Sequence, residues 1–321
     1  MPKPKVSILV PCFNVERYVA ECLQSLQQQT LDDFEVICLN DGSTDNTLNI
    51  IRQTVGNDNR FHIIDKPNSG YGATMNLGLT LAKGDYIGIV ESDDFVEPHM
   101  FQALYDQAIT YDLDISRCRY NSLTNGRVIP MSCPYLPKNL TFDPKNNVDV
   151  FHNPPSIWVG LYRRSLITNN DIHFLETPGA AYQDISFAFK TTLASSKIRC
   201  LPDHLLNYRI HQNNSIKKST NVFVVFDEIN ECISFANKLG FEKIIKDVIL
   251  KKEYDTFKWN FLRLPKESAH TFFKSWVKRW RENKDFYINP PPKNIKLLVY
   301  FLAITNIPTI FEKYLSRKSN K

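Results

Sequence analysis

The chain has 321 residues, of which 43% are hydrophobic and 23% are charged, as is typical of a folded globular protein. This length allows one large domain or two moderate ones. The net charge of +5 is modest and no RNA- or DNA-binding motif is visible, so we expect no nucleic-acid partner.

Two features of the sequence favour a cytoplasmic location. Residues 1–5, ahead of the first strand-like run, contain no apolar signal region, so we expect no export. The seven cysteines form no CxxC pair, and Cys12, Cys22 and Cys38 lie in apolar patterns typical of buried thiols. This use of cysteine indicates a reducing compartment.

In the first hundred residues, short apolar runs alternate with segments of helical periodicity. The apolar runs predict strands at 6–10, 34–39, 61–64 and 86–90, and the segments between them predict helices at 17–29, 45–55 and 72–82. Strands separated by helices of this length imply βαβ units in a parallel sheet. Such strands are buried on both faces, which explains their continuous apolarity.

Beyond Pro98 the alternation is less regular. The pattern predicts a helix at 100–111, a strand at 114–120, a Pro- and Asn-rich loop at 121–156, ordered structure at 157–167, a helix at 182–195, strands at 198–202 and 205–210, and mostly helix from 221 onward with a break at 289–292. The sequence shows no internal repeat and no low-complexity tract.

The C-terminal region is basic and contains a short apolar run. Lys and Arg are abundant from Lys251 onward, and residues 297–304 are apolar. Eight apolar residues fall well short of the roughly 20 needed to span a bilayer. The region can lie in the membrane interface, with its cations meeting anionic lipid, or form an ordinary amphipathic packing helix. The sequence leaves both interpretations open.

A cluster of acids follows the fourth predicted strand. Residues 85–94 change abruptly from an apolar run to Glu91, Asp93 and Asp94. Unpaired charge is costly to bury, so a core strand has no structural use for these acids. Clustered carboxylates suit a hard divalent cation that bridges them to phosphates, and ligands of open α/β sheets bind at this edge. An acidic surface turn is the alternative.

Two further segments follow predicted strands. In residues 39–47, helix capping explains Ser43 and Thr44 but not Asp41, whose carboxylate can accept a hydrogen bond from a nucleobase N–H at the sheet edge. Residues 11–14 lie at the same edge. In residues 66–76, Gly70 and Gly72 allow backbone to approach a ligand at a helix N-terminus, although a simple loop and helix start fit as well. The segment is neither a P-loop nor a GxGxxG fingerprint.

Together, residues 6–94 resemble the GT-A glycosyltransferases of family 2. The resemblance rests on the opening strand with Pro11, on Asn-Asp-Gly-Ser-Thr-Asp at 40–45, on the Asn-x-Gly segment leading to Asn-Leu-Gly-Leu at 76–79, on Ala-Lys-Gly-Asp-Tyr-Ile at 82–87 and on the acidic motif. It implies an α/β GT-A fold, with a Rossmann-like, mostly parallel sheet flanked by helices and a C-terminal helical region.

The resemblance also implies a division of the chain. Residues 1–98 would form the nucleotide-sugar-binding half of the GT-A domain, residues 99–220 its acceptor-binding half, and residues 221–321 a basic helical region that can associate with a membrane.

The resemblance assigns donor contacts to individual residues. Asp41 would contact the uracil of a UDP-sugar, Asp93 would hold Mg²⁺ or Mn²⁺ on the diphosphate, and Glu91 would lie near the ribose or sugar. The full predicted nucleotide-sugar site is Pro11, Phe13, Asn14, Asp41, Lys66, Asn68, Gly70, Asn76, Glu91, Ser92, Arg209, His211 and Ser215. Two departures stand out: Glu91 replaces the usual Asp, and Met75 replaces an Arg often found before the helix asparagine.

The general base is predicted in residues 174–187, where the family has a Glu-Asp pair. Here Gln183 replaces the Glu and Asp184 keeps the Asp. Inverting transfer needs a carboxylate to take the proton of the acceptor hydroxyl. An acid in the first turn of a helix can also serve the helix dipole alone. We predict Asp184 as the base and Asp94, Trp158 and Gln183 on the acceptor side.

Residues 208–215 supply candidate cationic contacts. Arg209 and His211 are two apart on an extended segment and therefore face the same side. Similar enzymes use this region, together with a downstream His or Ser such as Ser215, to close over the diphosphate, and these side chains can partly replace the missing Arg.

The resulting expectation is an inverting, metal-dependent enzyme that moves a hexose from a UDP-sugar to a glycan or lipid-linked acceptor. The segments 158–164 and 174–187 resemble a subgroup acting in capsular or exopolysaccharide assembly, with possible peripheral contact at the cytoplasmic face of the membrane. Two alternatives remain. One is a nucleotide-sugar-binding subunit without catalysis. The other is a nucleotidyltransferase, although residues 11–14 lack its Gly-rich, basic loop.

Overall fold

The computed structural model describes residues 3–124, 126–211 and 222–283. The chain divides into two compact units, Met1–Ser219 and Thr220–Lys321. The first unit contains both predicted halves of the GT-A domain, and the second contains the predicted C-terminal helical region.

The first part of unit 1 has the predicted alternation of strands and helices. Its elements are β1 (Val6–Cys12), α1 (Val19–Gln27), β2 (Phe34–Asp41), α2 (Thr47–Val55), β3 (Phe61–Lys66), α3 (Tyr71–Leu81) and β4 (Tyr86–Ile89). β1 pairs in parallel with β2 and with β4, and β2 pairs in parallel with β3. Every residue of β1, β2 and β4 is buried, which confirms the reading of their continuous apolarity.

The second part of unit 1 extends the same sheet with strands of mixed direction, in which β6 and β9 pair in parallel and the other pairs are antiparallel. Its elements are β5 (Phe95–Val96), α4 (Met100–Thr110), β6 (Ile115–Thr124), β7 (Arg127–Pro130), β8 (Gly160–Arg163), α5 (Arg164–Asn169), α6 (Gln183–Ala194) and β9 (Ile198–Arg209). Within the described ranges the strand order is β3-β2-β1-β4-β8-β6-β9-β5, and β7 pairs with β6. The predicted α/β fold class is confirmed.

Two local predictions in this part were wrong. The predicted loop at 121–156 begins with the end of β6, which forms a hairpin with β7. The two strands predicted at 198–202 and 205–210 are one strand, β9, whose register against β6 shifts between Arg117 and Arg119. Pro202 lies in β9 opposite this irregularity, where a missing N–H is tolerated and does not end the strand.

The direction of the strands determines where their carboxyl ends meet. β8 is antiparallel to β4, β6 is antiparallel to β8, and β9 is parallel to β6, so β9 runs in the same direction as β4. β1 and β2 also run in that direction. The residues that follow β1, β2, β4 and β9 therefore lie at one edge of the sheet, where ligands of open α/β sheets bind.

Unit 2 is helical over its described residues, as predicted for the chain from residue 221. Its helices are α7 (Val224–Lys238), α8 (Glu242–Arg263) and α9 (Lys266–Glu282). Phe257, Phe272 and Trp276 form its aromatic core, and the buried Glu253 accepts a hydrogen bond from Trp280 Nε1 at 2.7 Å. Residues 284–321, with the apolar run at 297–304, lie outside the described residues. No helix in the described part of the chain is long and apolar enough to cross a membrane.

Candidate active site

The three acids after β4 have different surroundings. Asp94 is fully buried, and its Oδ1 accepts a hydrogen bond from the backbone N–H of Arg209 at 2.8 Å. Its pKa lies well above the usual range because of burial and the adjacent Asp93. Asp94 therefore ties the end of β4 to the end of β9, and its place on the acceptor side stays a prediction.

Asp93 points toward the end of β9. Its Oδ2 lies 2.9 Å from His211 Nε2, and its backbone carbonyl accepts a hydrogen bond from Arg209 NH1 at 2.8 Å. Both side chains are partly exposed. A carboxylate and an imidazole that converge on one point are suitable ligands for a divalent cation. The structure thus brings together the predicted metal ligand and the predicted histidine.

Glu91 lies between this pair and the N-terminus of α3. Its Oε1 accepts a hydrogen bond from the Tyr71 hydroxyl at 2.7 Å. Burial, together with the charges of Asp93 and Asp184, raises the pKa of Glu91 to about 8, although the Tyr71 hydrogen bond lowers it. Glu91, Asp93 and Asp184 therefore lie close enough for their charges to interact.

Asp184 lies in the first turn of α6, and the residues before it have an unusual conformation. Tyr182 is buried and has a φ of 75°, in the left-handed region that bulky residues rarely adopt. Gln183 is also buried, and its Nε2 donates to Thr177 Oγ1 at 2.9 Å. Gln183 therefore orders the loop before α6, and its place on the acceptor side stays a prediction.

An aromatic pair lies beside the acids. Trp158 stacks on Tyr208 with 5.1 Å between ring centroids and 3° between ring planes. Burial raises the pKa of Tyr208, and Asp94, Asp93, Glu91 and Asp184 each raise it further. The half-buried Trp158 thus stacks on a tyrosine that lies near the acidic cluster, and its location on the acceptor side stays a prediction.

The carboxylate of Asp41 is held by the loop between β3 and α3. Oδ1 accepts from the Ser69 N–H at 2.8 Å and Oδ2 from the Gly70 N–H at 3.0 Å, and Lys66 forms an ion pair with Oδ1. Asn68 Nδ2 donates to the Asp41 carbonyl at 2.9 Å. The predicted residues Asp41, Lys66, Asn68 and Gly70 therefore form one connected group at the end of β2.

The loop after β1 lies against the loop after β2. Asn14 has a φ of 53°, and its Oδ1 accepts a hydrogen bond from the Thr44 N–H at 2.8 Å. Its amide therefore connects two loops. Phe13 is 48% exposed, whereas Pro11 and Ser92 are buried. Of these four predicted donor-site residues, Phe13 and Asn14 are exposed.

Asn76 has a structural role that the sequence did not reveal. Its Nδ2 donates to the Phe174 carbonyl and to Glu176 Oε1, each at 3.0 Å, and its Oδ1 accepts from the Phe174 N–H at 2.8 Å. These contacts engage both ends of the amide. Asn76 therefore fixes the segment that leads to Asp184, and its contact with the donor stays a prediction.

Arg209, predicted as a contact of the diphosphate, binds several groups of the protein itself. Its NH2 lies 2.5 Å from Glu21 Oε2, its NH1 binds the Asp93 carbonyl, and its guanidinium lies over the rings of Tyr18 and Phe95. These contacts direct the guanidinium at the protein itself. Ser215, the remaining predicted residue of this group, lies outside the described residues.

Sequence reasoning missed Tyr18, Glu21 and Tyr71, which contact the candidate site residues. Tyr18 stacks on His211, Glu21 pairs with Arg209, and Tyr71 donates to Glu91. Tyr71 lies between Gly70 and Gly72, which mark its loop as a candidate ligand site, so the sequence did indicate this region. Tyr18 and Glu21 have no such signal, because they fit an ordinary helix start.

Comparison with known proteins gives one family. Residues 7–167 match the family model described as glycosyl transferase family 2. The chain is 33% identical over 219 residues to the uncharacterized glycosyltransferase EpsJ of Bacillus subtilis, a match that covers 66% of this chain and 62% of that protein. The matched part thus spans less than two thirds of that relative's length.

Solved structures show the same fold. A crystal structure of S. aureus TarS 1–349 in complex with UDP matches with a TM-score of 0.68 at 23% identity, covering 84% of this chain and 78% of that one. The mannosyltransferase PcManGT from Pyrobaculum calidifontis, in complex with GDP-Man and Mn²⁺, matches with a TM-score of 0.51 at 14% identity, covering 97% and 88%. At these identities the likeness concerns the fold.

Proposed function

Because this chain belongs to glycosyl transferase family 2, we propose that it transfers a hexose from a UDP-sugar, with inversion, to a glycan or lipid-linked acceptor in surface polysaccharide synthesis. The observation that carries the proposal is the meeting of Asp93, His211, Glu91 and Asp184 at one edge of the sheet. A non-catalytic nucleotide-sugar-binding subunit would have no need for a carboxylate held at the position of Asp184.

The donor set near Asp93 fits a hard divalent cation, Mg²⁺ or Mn²⁺. Asp93 Oδ2 and His211 Nε2 converge to 2.9 Å. In the described part of the chain, no three His, Cys, Asp or Glu side chains gather into a complete metal site. This incomplete set suits Mg²⁺-type ions, which take one or two protein carboxylates and fill their remaining positions with substrate phosphates and water. Bound there, the cation would neutralise the charge that develops on the departing UDP.

Asp184 is the proposed general base. As the acceptor oxygen bonds to the anomeric carbon, the bond from that carbon to the diphosphate oxygen breaks, and the acceptor proton passes to the Asp184 carboxylate. Direct displacement inverts the anomeric configuration and needs no covalent enzyme intermediate. The influence of Asp184 on the pKa of Glu91 supports this role, because it indicates that the two side chains are close.

The proposed donor site extends along the same edge toward β2. The exposed ring of Phe13 offers a flat apolar surface for a base. Asp41, held by two backbone N–H groups and Lys66, is pre-oriented to accept a further hydrogen bond from the N–H of uracil. Because these contacts hold the Asp41 carboxylate in one orientation, it is preorganised to recognise the base.

The proposed acceptor site lies on the other side of the acids. Trp158 stacks on Tyr208 and keeps part of its ring accessible. An indole face provides the apolar surface on which the C–H groups of a sugar ring pack. We therefore assign Trp158 to the acceptor, next to Asp184.

A peripheral, cytoplasmic location at the membrane face is proposed from the surface of unit 2. Trp259 and Leu262 on α8 are 46% and 52% exposed. They are three residues apart on one face of the helix, beside Lys258 and Arg263. Exposed aromatic and apolar side chains flanked by cations suit the interface of an anionic membrane. Co-sedimentation with anionic but not neutral vesicles is the expected result, and no sedimentation with either would exclude this location.

The enzymatic proposal is tested by screening UDP-sugars for turnover with and without metal. We expect release of UDP from one UDP-hexose, loss of that activity in EDTA, and recovery on adding Mg²⁺ or Mn²⁺. Full activity in EDTA would remove the metal from the proposal. Binding of UDP-sugars without any turnover, in the presence of candidate acceptors, would favour the non-catalytic alternative.

A further inference from the structure

The proposed metal ligand His211 is supported by an aromatic ring from the start of the first helix. Tyr18 directly precedes α1, and its ring stacks on the imidazole with 4.7 Å between ring centroids and 26° between planes. The contacts of Tyr18 with His211 are made by the ring face. This stacking connects the loop after β1 with the end of β9.

A second side chain from β9 reaches the same ring. Arg209 and His211 are two residues apart on extended backbone, so both side chains point to one side. The Arg209 guanidinium lies 5.5 Å from the centroid of the Tyr18 ring and 2.5 Å from Glu21 in the first turn of α1. The start of α1 therefore contacts both Arg209, which ends β9, and His211, which follows it.

The same two side chains meet Asp93 from two directions. His211 Nε2 lies 2.9 Å from the carboxylate, and Arg209 NH1 donates to the Asp93 carbonyl at 2.8 Å. The backbone and the side chain of Asp93 are thus fixed by residues that themselves rest on Tyr18. A rotation of the imidazole about its two side-chain bonds would move Nε2 away from Asp93 Oδ2, and the stacked ring opposes that rotation.

We propose that Tyr18 is a positioning residue, which orients His211 so that its Nε2 and the Asp93 carboxylate form a preorganised site for a divalent cation. The inference rests on the proposed function, because it requires that Asp93 and His211 bind a metal together. Side chains that orient metal ligands typically change metal affinity by about 10–100-fold when they are removed. Tyr18 does not touch the cation and acts through His211.

The test is the binding of Mn²⁺ by the full-length protein in the presence of saturating UDP. The signal of free Mn²⁺ in electron paramagnetic resonance reports the bound fraction without any need for activity. Tyr18→Leu keeps an apolar side chain but removes the flat ring, and we expect it to weaken Mn²⁺ binding by about 10-fold or more. Tyr18→Phe keeps the ring, and we expect it to bind within about twofold of the wild type, because the stacking is retained.

A matched control is available in the loop after β7. Tyr135 also makes a ring contact with a histidine, His152, with 5.6 Å between centroids. Tyr135→Ala should leave Mn²⁺ binding unchanged. Melting curves in EDTA show whether each variant is folded, and Tyr18→Met serves as the second ring-free variant if Tyr18→Leu does not fold.

The possible outcomes separate the inference from the proposed function. Wild-type affinity in a folded Tyr18→Leu or Tyr18→Met variant would overturn the role of Tyr18 and leave the metal site standing. A loss in Tyr18→Phe equal to that in Tyr18→Leu would overturn the role of ring stacking. Failure of the wild-type protein to bind Mn²⁺ with UDP would overturn the metal part of the proposed function, and the inference with it.

Discussion

Four carboxylates of this site are chemically similar, yet their contacts give them different roles. Asp94 is buried and bonded to β9 backbone, whereas Asp93 faces an imidazole and Glu91 accepts from a tyrosine. Asp184 approaches from α6 on another part of the chain. Environment rather than residue type therefore separates the structural acid from the proposed metal ligand and the proposed base.

The role of Asp184 is tested by replacing it with asparagine, which keeps the shape of the side chain and removes its basicity. We expect Asp184→Asn to lower the rate of sugar transfer by about 100- to 10,000-fold, the usual worth of a general base. UDP affinity, measured by calorimetry, should stay within about twofold of the wild type, a difference of well under 1 kcal/mol.

Asp171→Asn is the matched control for this substitution. Asp171 is exposed and has a φ of 54°, a conformation that asparagine also tolerates. It should transfer sugar at the wild-type rate. If Asp184→Asn were as active as Asp171→Asn, Asp184 would have no role as the base.

At the scale of single residues, the sequence singles out the acids more readily than it reveals the contacts of the amides and cations. Asp93 is singled out because charge directly after a core strand needs a reason, and Asp184 because its position resembles the family motif. The contacts of Asn76 and Arg209 could not be predicted, because a motif residue can point equally well to a ligand or to its own chain. Their partners, Phe174 and Glu21, are distant in sequence, and only the fold brings them together.

Among the elements, α3 and the segment before α6 fit together closely. A Cβ on Gly72 would lie 1.9 Å from the Leu175 carbonyl oxygen, a contact with backbone that cannot be relieved by a side-chain rotation. The Tyr71 N–H also donates to the Gly179 carbonyl at 3.1 Å. The position of the base therefore depends on how the N-terminus of α3 packs against this segment.

Gly72→Ala tests that dependence. The added methyl should push residues 174–176 away from α3 and displace Asp184 from the donor. We expect transfer to fall by about 100-fold, as misplacement of reacting groups by about 1 Å can cause. Overpacking should also lower stability by about 1–3 kcal/mol, measured as a lower melting temperature.

Thr80→Ala, on the exposed part of the same helix, is the control and should have little effect on transfer. A Gly72→Ala enzyme that transfers sugar at the wild-type rate would show that this contact does not position the base.

The length of an element decided whether it could be predicted. β1, β2 and α4 have the long apolar patterns that identify them, and their locations were predicted. β5 has two residues and β7 has four, all exposed in β7, so neither has an apolar pattern to recognise. β9 was predicted as two pieces because Pro202 suggests an interruption, which the irregular pairing with β6 accommodates.

For the whole molecule, the direction of the strands assembles the site from distant parts of the sequence. The acids after β4 and the Arg209–His211 segment after β9 lie at one edge although more than a hundred residues separate them. Parallel strands β1, β2 and β4 were predictable from their alternation with helices. The return of the chain through β8, β6 and β9 was not, because antiparallel additions to a parallel sheet leave no comparable pattern.

The thiols give a test of the whole fold, because all seven cysteines are buried. Burial raises the pKa of Cys12 to about 12 and that of Cys200 to about 11. These thiols stay protonated in the folded chain at pH values where the unfolded chain has begun to ionise. Their contribution to stability is therefore present below about pH 9 and is lost as the pH rises further.

We expect a thiol-specific reagent at about pH 8 to label the native protein slowly and the denatured protein rapidly, since only exposed thiolate reacts. The number of groups labelled over time, with and without denaturant, is the measurement. Rapid labelling of several cysteines in the native protein would contradict the buried arrangement of the sheet and its helices.

The most direct measurement of the proposed donor site is anomalous diffraction from crystals grown with Mn²⁺ and UDP. We expect a manganese peak between Asp93 and His211, with the diphosphate beside it and the uracil near Asp41. UDP bound at this edge with no manganese at Asp93, or manganese and UDP bound elsewhere, would contradict the account.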